Sequence, residues 1–169
     1  MPITLDGTSG ITTPALLNAN ANGVGNIGTS IGYFNTIFAK ATSAQYADLA
    51  EMYEADNPAE PGTVMMFGGT KEVTVCYEDS SRAVAGVVST NPSYVMNAGQ
   101  PGEHVVAVAL MGRVPTKVTG EVKKGDLMVA AGNGLARAEP NPATGAVIGK
   151  SLENFQGVTG VIEIVVGRL

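Results

Sequence analysis

The chain is poor in the residues on which most site chemistry rests. Its 169 residues include one histidine (His104), one cysteine (Cys76) and no tryptophan, and only 15% are charged. A single cysteine excludes an internal disulfide. One His and one Cys cannot supply the several ligands of a zinc site, so no metal and no cofactor is expected. A Ser/His or Cys/His nucleophile pair would have to use His104. That residue follows Gly102-Glu103 and opens an apolar stretch, which suits a turn or strand end better than a catalytic base. Cys76 lies between Val75 and Tyr77 and reads as a buried, inert thiol. Net charge is −5 and no basic cluster exceeds Lys123-Lys124, so the concentrated basic face that nucleic acid requires is missing. No run of eighteen apolar residues is present, so no membrane insertion is expected. No basic region followed by an apolar core marks a secretory signal at the N-terminus.

What the chain has in quantity is glycine (22 residues), proline (9) and aliphatic side chains. Many turns and little charge point to a mainly β protein. Residues 61–169 read as a compact β head, barrel- or sandwich-like, with strands expected at 63–67, 73–77, 83–88, 104–110, 112–117, 126–130, 135–138, 146–151 and 160–166. Gly68-Gly69 and Gly132-Asn133-Gly134 are hairpin-type turns between them.

Residues 1–42 differ. They carry two charged residues, Asp6 and Lys40, among Gly, Asn, Thr, Ser and scattered aliphatics. Such a segment has too little apolar surface for its own core, yet residues 33–38 are too apolar for a solvated linker. Identical chains wound together and sharing one buried face would reconcile the two, which makes assembly the first function to test. Tyr33, Phe34, Ile37 and Phe38 are the candidate packing residues of such a shaft. Residues 43–60 form a linker in which Thr42 or Ser43 caps a short helix. Tyr46, Leu49 and Tyr53 fall at spacings of three and four on it, as either a collar between chains or a surface helix packed on its own domain. Asn57-Pro58 and Glu60-Pro61-Gly62 end it.

Three stretches resemble the distal part of tail fibres from tailed bacteriophages. They are Tyr33-Phe34-Asn35-Thr36-Ile37-Phe38-Ala39 after Gly28, then Ala41-Thr42-Ser43-Ala44-Gln45-Tyr46-Ala47-Asp48-Leu49-Ala50-Glu51, and Ala85-Gly86-Val87-Val88-Ser89-Thr90-Asn91-Pro92 with Ala109-Leu110-Met111-Gly112-Arg113-Val114-Pro115 and Gly125-Asp126-Leu127 behind it. The resemblance implies a homotrimeric virion structural protein, assembled in the host cytoplasm and joined to upstream fibre or baseplate proteins. It implies an intertwined trimeric shaft, a helical collar and a β head that adsorbs to a bacterial surface receptor, a polysaccharide. The chain would then be the end of a longer polypeptide.

Turn-rich loops on a β scaffold are the natural recognition surface: 78–82, 91–101 and 133–145. Tyr94, Met96 and Asn97 in the second are the receptor-facing candidates, although Tyr94 and Met96 suit packing against a neighbouring subunit equally well. Val-Val-Ser-x-Asn-Pro is similar to self-cleaving chaperone domains of phage appendages, which makes a self-cleaving trimerisation domain, cut near Ser89 to Asn91, the alternative function. A purely architectural trimerisation head is a third reading. Otherwise the chain is not read as an enzyme. The acidic run Asp48, Glu51, Glu54, Asp56 and Glu60 reads as a solvated face, Glu78-Asp79 as a turn, and no carboxylate pair is recognisable for glycan hydrolysis. Gly149-Lys150-Ser151 ends as a phosphate loop does, but Thr144 stands where that loop needs its first glycine.

Overall fold

The computed structural model of the protein describes Thr29, Ile31, Gly32 and residues 48–167. The chain divides into two units, Met1–Thr42 and Ser43–Leu169. The shaft candidates Tyr33, Phe34, Ile37 and Phe38, and Tyr46 of the expected collar, lie outside the described residues.

Ten strands and no helix make up the described residues: β1 (Asp48–Glu54), β2 (Val64–Phe67), β3 (Val73–Val75), β4 (Val84–Val88), β5 (Tyr94–Met96), β6 (Val105–Val122), β7 (Leu127–Gly132), β8 (Leu135–Ala138), β9 (Val147–Ser151) and β10 (Phe155–Val166). The mainly β architecture agrees with the reading of the sequence. The helical collar does not, because its second half is β1. A helix this short is marginal alone, whereas β1 gains a full ladder against β6, from Asp48 opposite Gly112 to Glu54 opposite Val105. Leu49 and Tyr53 are four apart, a spacing that also places two residues on one face of a strand. Tyr53 stacks edge-on against Phe67, ring centroids 5.8 Å apart, at the margin of a core cluster that includes Met65, Val73 and Val106.

The strands expected at 104–110 and 112–117 are, from Val105 onward, parts of the single 18-residue β6. It is the spine of the domain. Its second half pairs with β10 from Gly112 to Val122 and meets β8 in parallel at Val118 and Ala136. The circuit β6–β10–β9–β7–β8 returns to β6, a closed five-stranded barrel without free edges. On β10, Ile162, Ile164 and Val166 point inward and are buried, while Val161 and Val165 alternate outward.

The first half of β6 belongs to a second lobe of the same design. It pairs with β1 on one side and β4 on the other, β4 pairs with β2, and β2 with β3. A parallel bridge from Val73 to Ala55 brings β3 back to the end of β1. Residues 55–89 thus correspond to 118–152 at a fixed offset of 63 positions, pairing Gly62 with Gly125, Met65 with Met128, Gly69 with Gly132, Val84 with Val147 and Gly86 with Gly149. The hydrogen bonds repeat as well. Gly62 N donates to Val88 O as Gly125 N donates to Ser151 O, both at 2.8 Å. Each lobe has a β-bulge at the same place, between Met65 and Met66 and between Met128 and Val129. Gly86 and Gly149 are needed for close approach. A Cβ on Gly86 would overlap the carbonyl oxygen of Ala109, and one on Gly149 that of Val165. The domain is therefore a tandem pair of five-stranded units that share one strand.

Candidate recognition surface

The duplication shows where the lobes differ. In the second lobe, β9 reaches β10 through residues 152–154. At the equivalent point of the first lobe, residues 89–104 intervene and carry β5. A scaffold present twice is explained by packing, whereas a segment present once needs another reason.

This insertion, expected as a loop, contains a strand. β5 runs parallel to β1, with Tyr94 opposite Leu49, Val95 opposite Ala50 and Met96 opposite Glu51. Among the described residues β5 pairs with β1 only, so its other edge is open. The Ser93 backbone N–H (2.9 Å) and Oγ (2.7 Å) both donate to the Asp48 carbonyl and staple the insertion to the start of β1. Leu49 lies opposite Tyr94 on one side and Met111 on the other. Cross-strand partners share a face, so Tyr94, Leu49 and Met111 form one row. Tyr94 is 64% and Met111 62% exposed. The register thus brings the loop candidate Tyr94 beside the collar candidate Leu49, and adds Met111, which fell between the two strands expected at 104–110 and 112–117.

Asn97 follows β5 in the left-handed region, φ 52 to 55° being shared with Ser80 and Asn133. Its Nδ2 donates to Gln100 Oε1 (2.8 Å) and to the Met52 carbonyl (3.3 Å). Gln100 Nε2 in turn donates to Glu72 Oε2 (2.9 Å), which also accepts the Glu54 N–H (2.8 Å). Asn97 thus holds the shape of the insertion, and Met96 is half-buried beside it.

The other two loops are tied to each other. Arg137 Nε and Nη2 donate to both oxygens of Asp79 (2.7 and 3.0 Å), and Nη1 donates to Glu139 (2.9 Å). Arg82 Nε donates to the Thr144 carbonyl (2.9 Å). The Arg137 hydrogen bonds hold the carboxyls of Asp79 and Glu139 below their ordinary values. Asp56, lowered by hydrogen bonds from the Thr70 hydroxyl and the Lys71 N–H, organises the β2–β3 turn.

Ser89 Oγ is buried and has no hydrogen-bond partner, so no base among the described residues touches it. Thr90 and Asn91 are exposed, and no left-handed backbone occurs from Ser89 to Asn91. His104 is half-buried, 3.9 Å from Glu103, and its carbonyl accepts the Ala55 N–H. Burial pushes the Cys76 thiol up, away from thiolate character. The described residues contain no cluster of His, Cys, Asp or Glu able to hold a metal ion. A scan against protein-family models returns no match to this chain, and a search of curated proteins returns none either.

Proposed function

We propose that the chain is the distal part of a homotrimeric tail fibre of a tailed bacteriophage, and that it adsorbs to a polysaccharide of the bacterial surface through the insertion at 89–104. The observation that carries this reading is the exposed Tyr94, presented on a segment that one lobe has and its duplicate lacks. An aromatic ring with one wet face and one polar tip suits a sugar, and a rigid β scaffold holds it at small entropic cost. The sequence resemblance supplies the fibre and the number of chains. Met96 lies on the same face of β5 as Tyr94, and the Asn97 hydrogen bonds to Gln100 and the Met52 carbonyl hold the turn that follows.

The test is adsorption competition. Purified protein is added to host cells before phage, and the fraction of adsorbed phage is counted. Wild-type protein should compete, and Tyr94→Ala should compete at least about tenfold less well, the loss of one stacking contact. Equal competition by both proteins would remove Tyr94 from the receptor site. A sedimentation mass equal to one chain would remove the trimer.

A further inference from the structure

The turn between β7 and β8 ties the second lobe to the first. Gly132 pairs with Leu135, so the connection is Asn133-Gly134 alone. Both residues take positive φ, 52° and 71°, as the primed turn of a tight hairpin requires. Gly134 is wedged into the first lobe. Its carbonyl accepts the Val64 N–H and its N–H donates to the Cys76 carbonyl, both at 2.8 Å. A Cβ on Gly134 would stand 2.7 Å from Thr63 Cγ2 and 3.0 Å from Val75 Cγ1, so glycine alone fits the slot without movement. Gly134 is buried, whereas Asn133 beside it is exposed. At the matching turn of the first lobe stand Thr70 and Lys71, whose N–H groups both donate to Asp56 Oδ1 (2.9 and 2.8 Å). Of the two turns, only the second lobe's carries an Asn-Gly pair.

Asn-Gly has a chemistry of its own. Once hydroxide has taken the proton of the glycine N–H, that nitrogen can bond to the asparagine Cγ, because glycine has no side chain to hinder the approach. The Cγ–Nδ2 bond breaks, ammonia leaves and a cyclic imide remains. Water then adds across one of the two imide C–N bonds. The product is aspartate, or isoaspartate with an extra methylene in the main chain. In the folded chain the Gly134 nitrogen is withheld from this reaction. It is buried, its N–H is held by the Cys76 carbonyl, and moving it toward Cγ would pull Gly134 out of both of its hydrogen bonds.

We propose that Asn133 is a gated modification site: docking of Gly134 in the first lobe keeps its side-chain amide intact, and opening of that dock lets the imide close. The step is one-way. Isoaspartate lengthens the turn by a methylene, and a turn so lengthened cannot satisfy the Gly132–Leu135 pair and both Gly134 bonds together. The site thus records separation of the two lobes as a permanent change in the chain. The inference rests on this turn alone and holds whatever the receptor of the insertion is.

The full chain and the capped peptide Ala-Gly-Asn-Gly-Leu, a copy of residues 131–135, are incubated side by side at mildly alkaline pH. Peptide mapping by mass spectrometry follows Asn133 and separates it from the chain's other Asn-Gly pair, Asn22-Gly23, which lies outside the described residues. Conversion at Asn133 should be at least about thirtyfold slower in the chain than in the peptide, the effect of two buried hydrogen bonds. Hydrogen exchange at the Gly134 amide should be slowed by the same factor, because both reactions wait for one opening. Urea below the unfolding midpoint should speed the two together. The isoaspartate fraction, isolated by ion exchange, should lose the Gly134 protection, whereas Asn133→Asp, which adds the charge without lengthening the main chain, should keep it. Any of four results overturns the inference: conversion at the rate of the peptide, slow conversion beside an unprotected Gly134 amide, an isoaspartate fraction that keeps the protection, or loss of the protection in Asn133→Asp, which would assign the effect to charge.

Discussion

Replacing Gly149 by alanine tests the closest packing in the second lobe. The added Cβ would overlap the Val165 carbonyl oxygen and would stand 2.7 Å from its carbon and 2.9 Å from Val166 Cα. Ordinary carbon contacts are about 3.5–4.0 Å, so β9 and β10 must part by about 1 Å. Their pairing covers three residue pairs, from Ile164 with Ser151 to Val166 with Gly149. Overpacking costs about 1–3 kcal/mol. Each ladder hydrogen bond weakened adds up to about 1 kcal/mol. Alanine's smaller unfolded-state entropy returns about 0.4–1 kcal/mol. The net expectation is a loss of about 2–4 kcal/mol, read as a lower urea midpoint at an unchanged slope. Gly86→Ala should lose a similar amount, because it meets the Ala109 carbonyl in the same way. Gly99→Ala is the control: it has open space around its Cβ position and should shift stability by no more than about 0.5 kcal/mol. If Gly149→Ala lies within about 0.5 kcal/mol of wild type, the strands are not packed as described and the matched roles of the two glycines fall with them.

Two methionines should separate by burial alone. Met128→Ala, in the closed barrel at 0% exposure, should cost about 2–5 kcal/mol in urea unfolding, whereas Met111→Ala, 62% exposed, should cost less than about 0.5 kcal/mol. The Arg137 clamp predicts a pH dependence. Asp79 and Glu139 have lowered folded-state values, so their contribution is complete above the ordinary values of 3.8 and 4.5 and is lost as pH falls through the folded ones. Arg137→Ala should therefore change the urea midpoint at pH 7, by no more than about 1 kcal/mol for the exposed Asp79 pair, and much less at pH 2. An equal change at both pH values would show that Arg137 acts by packing. Exchange of residues 89–104 for Leu-Glu-Asn, the second lobe's own connection, should leave the β circular-dichroism spectrum and abolish competition for phage adsorption. Loss of the spectrum would make the insertion part of the scaffold.

The β class was legible in the glycine, valine and turn pattern, and Gly132-Asn133-Gly134 was readable as a turn between β7 and β8, where Asn133 and Gly134 both take positive φ. β1 was not legible. Asp48-Leu49-Ala50-Glu51-Met52-Tyr53-Glu54 has spacings that suit a helix and a strand alike, and only the ladder with β6 decides between them. β5 has three residues inside a run rich in Asn, Pro, Ser and Gly, and its partner lies some 45 positions earlier in the chain, as the Ser93–Asp48 bond shows. The duplication was present in the sequence but faint, because what repeats is a few glycines and the volumes of aliphatic side chains, and these many residues can satisfy.

By itself, the sequence determined what chemistry this protein lacks the residues for, and that its chain folds as short strands broken by turns. Both follow from side-chain type and local backbone preference, which need no partner. Only the tertiary structure decided that one strand serves two lobes and that Tyr94, Leu49 and Met111 share a row. Each of these depends on which distant segments pair. Pairing is set by closure of the whole circuit, a property that no local window of residues contains.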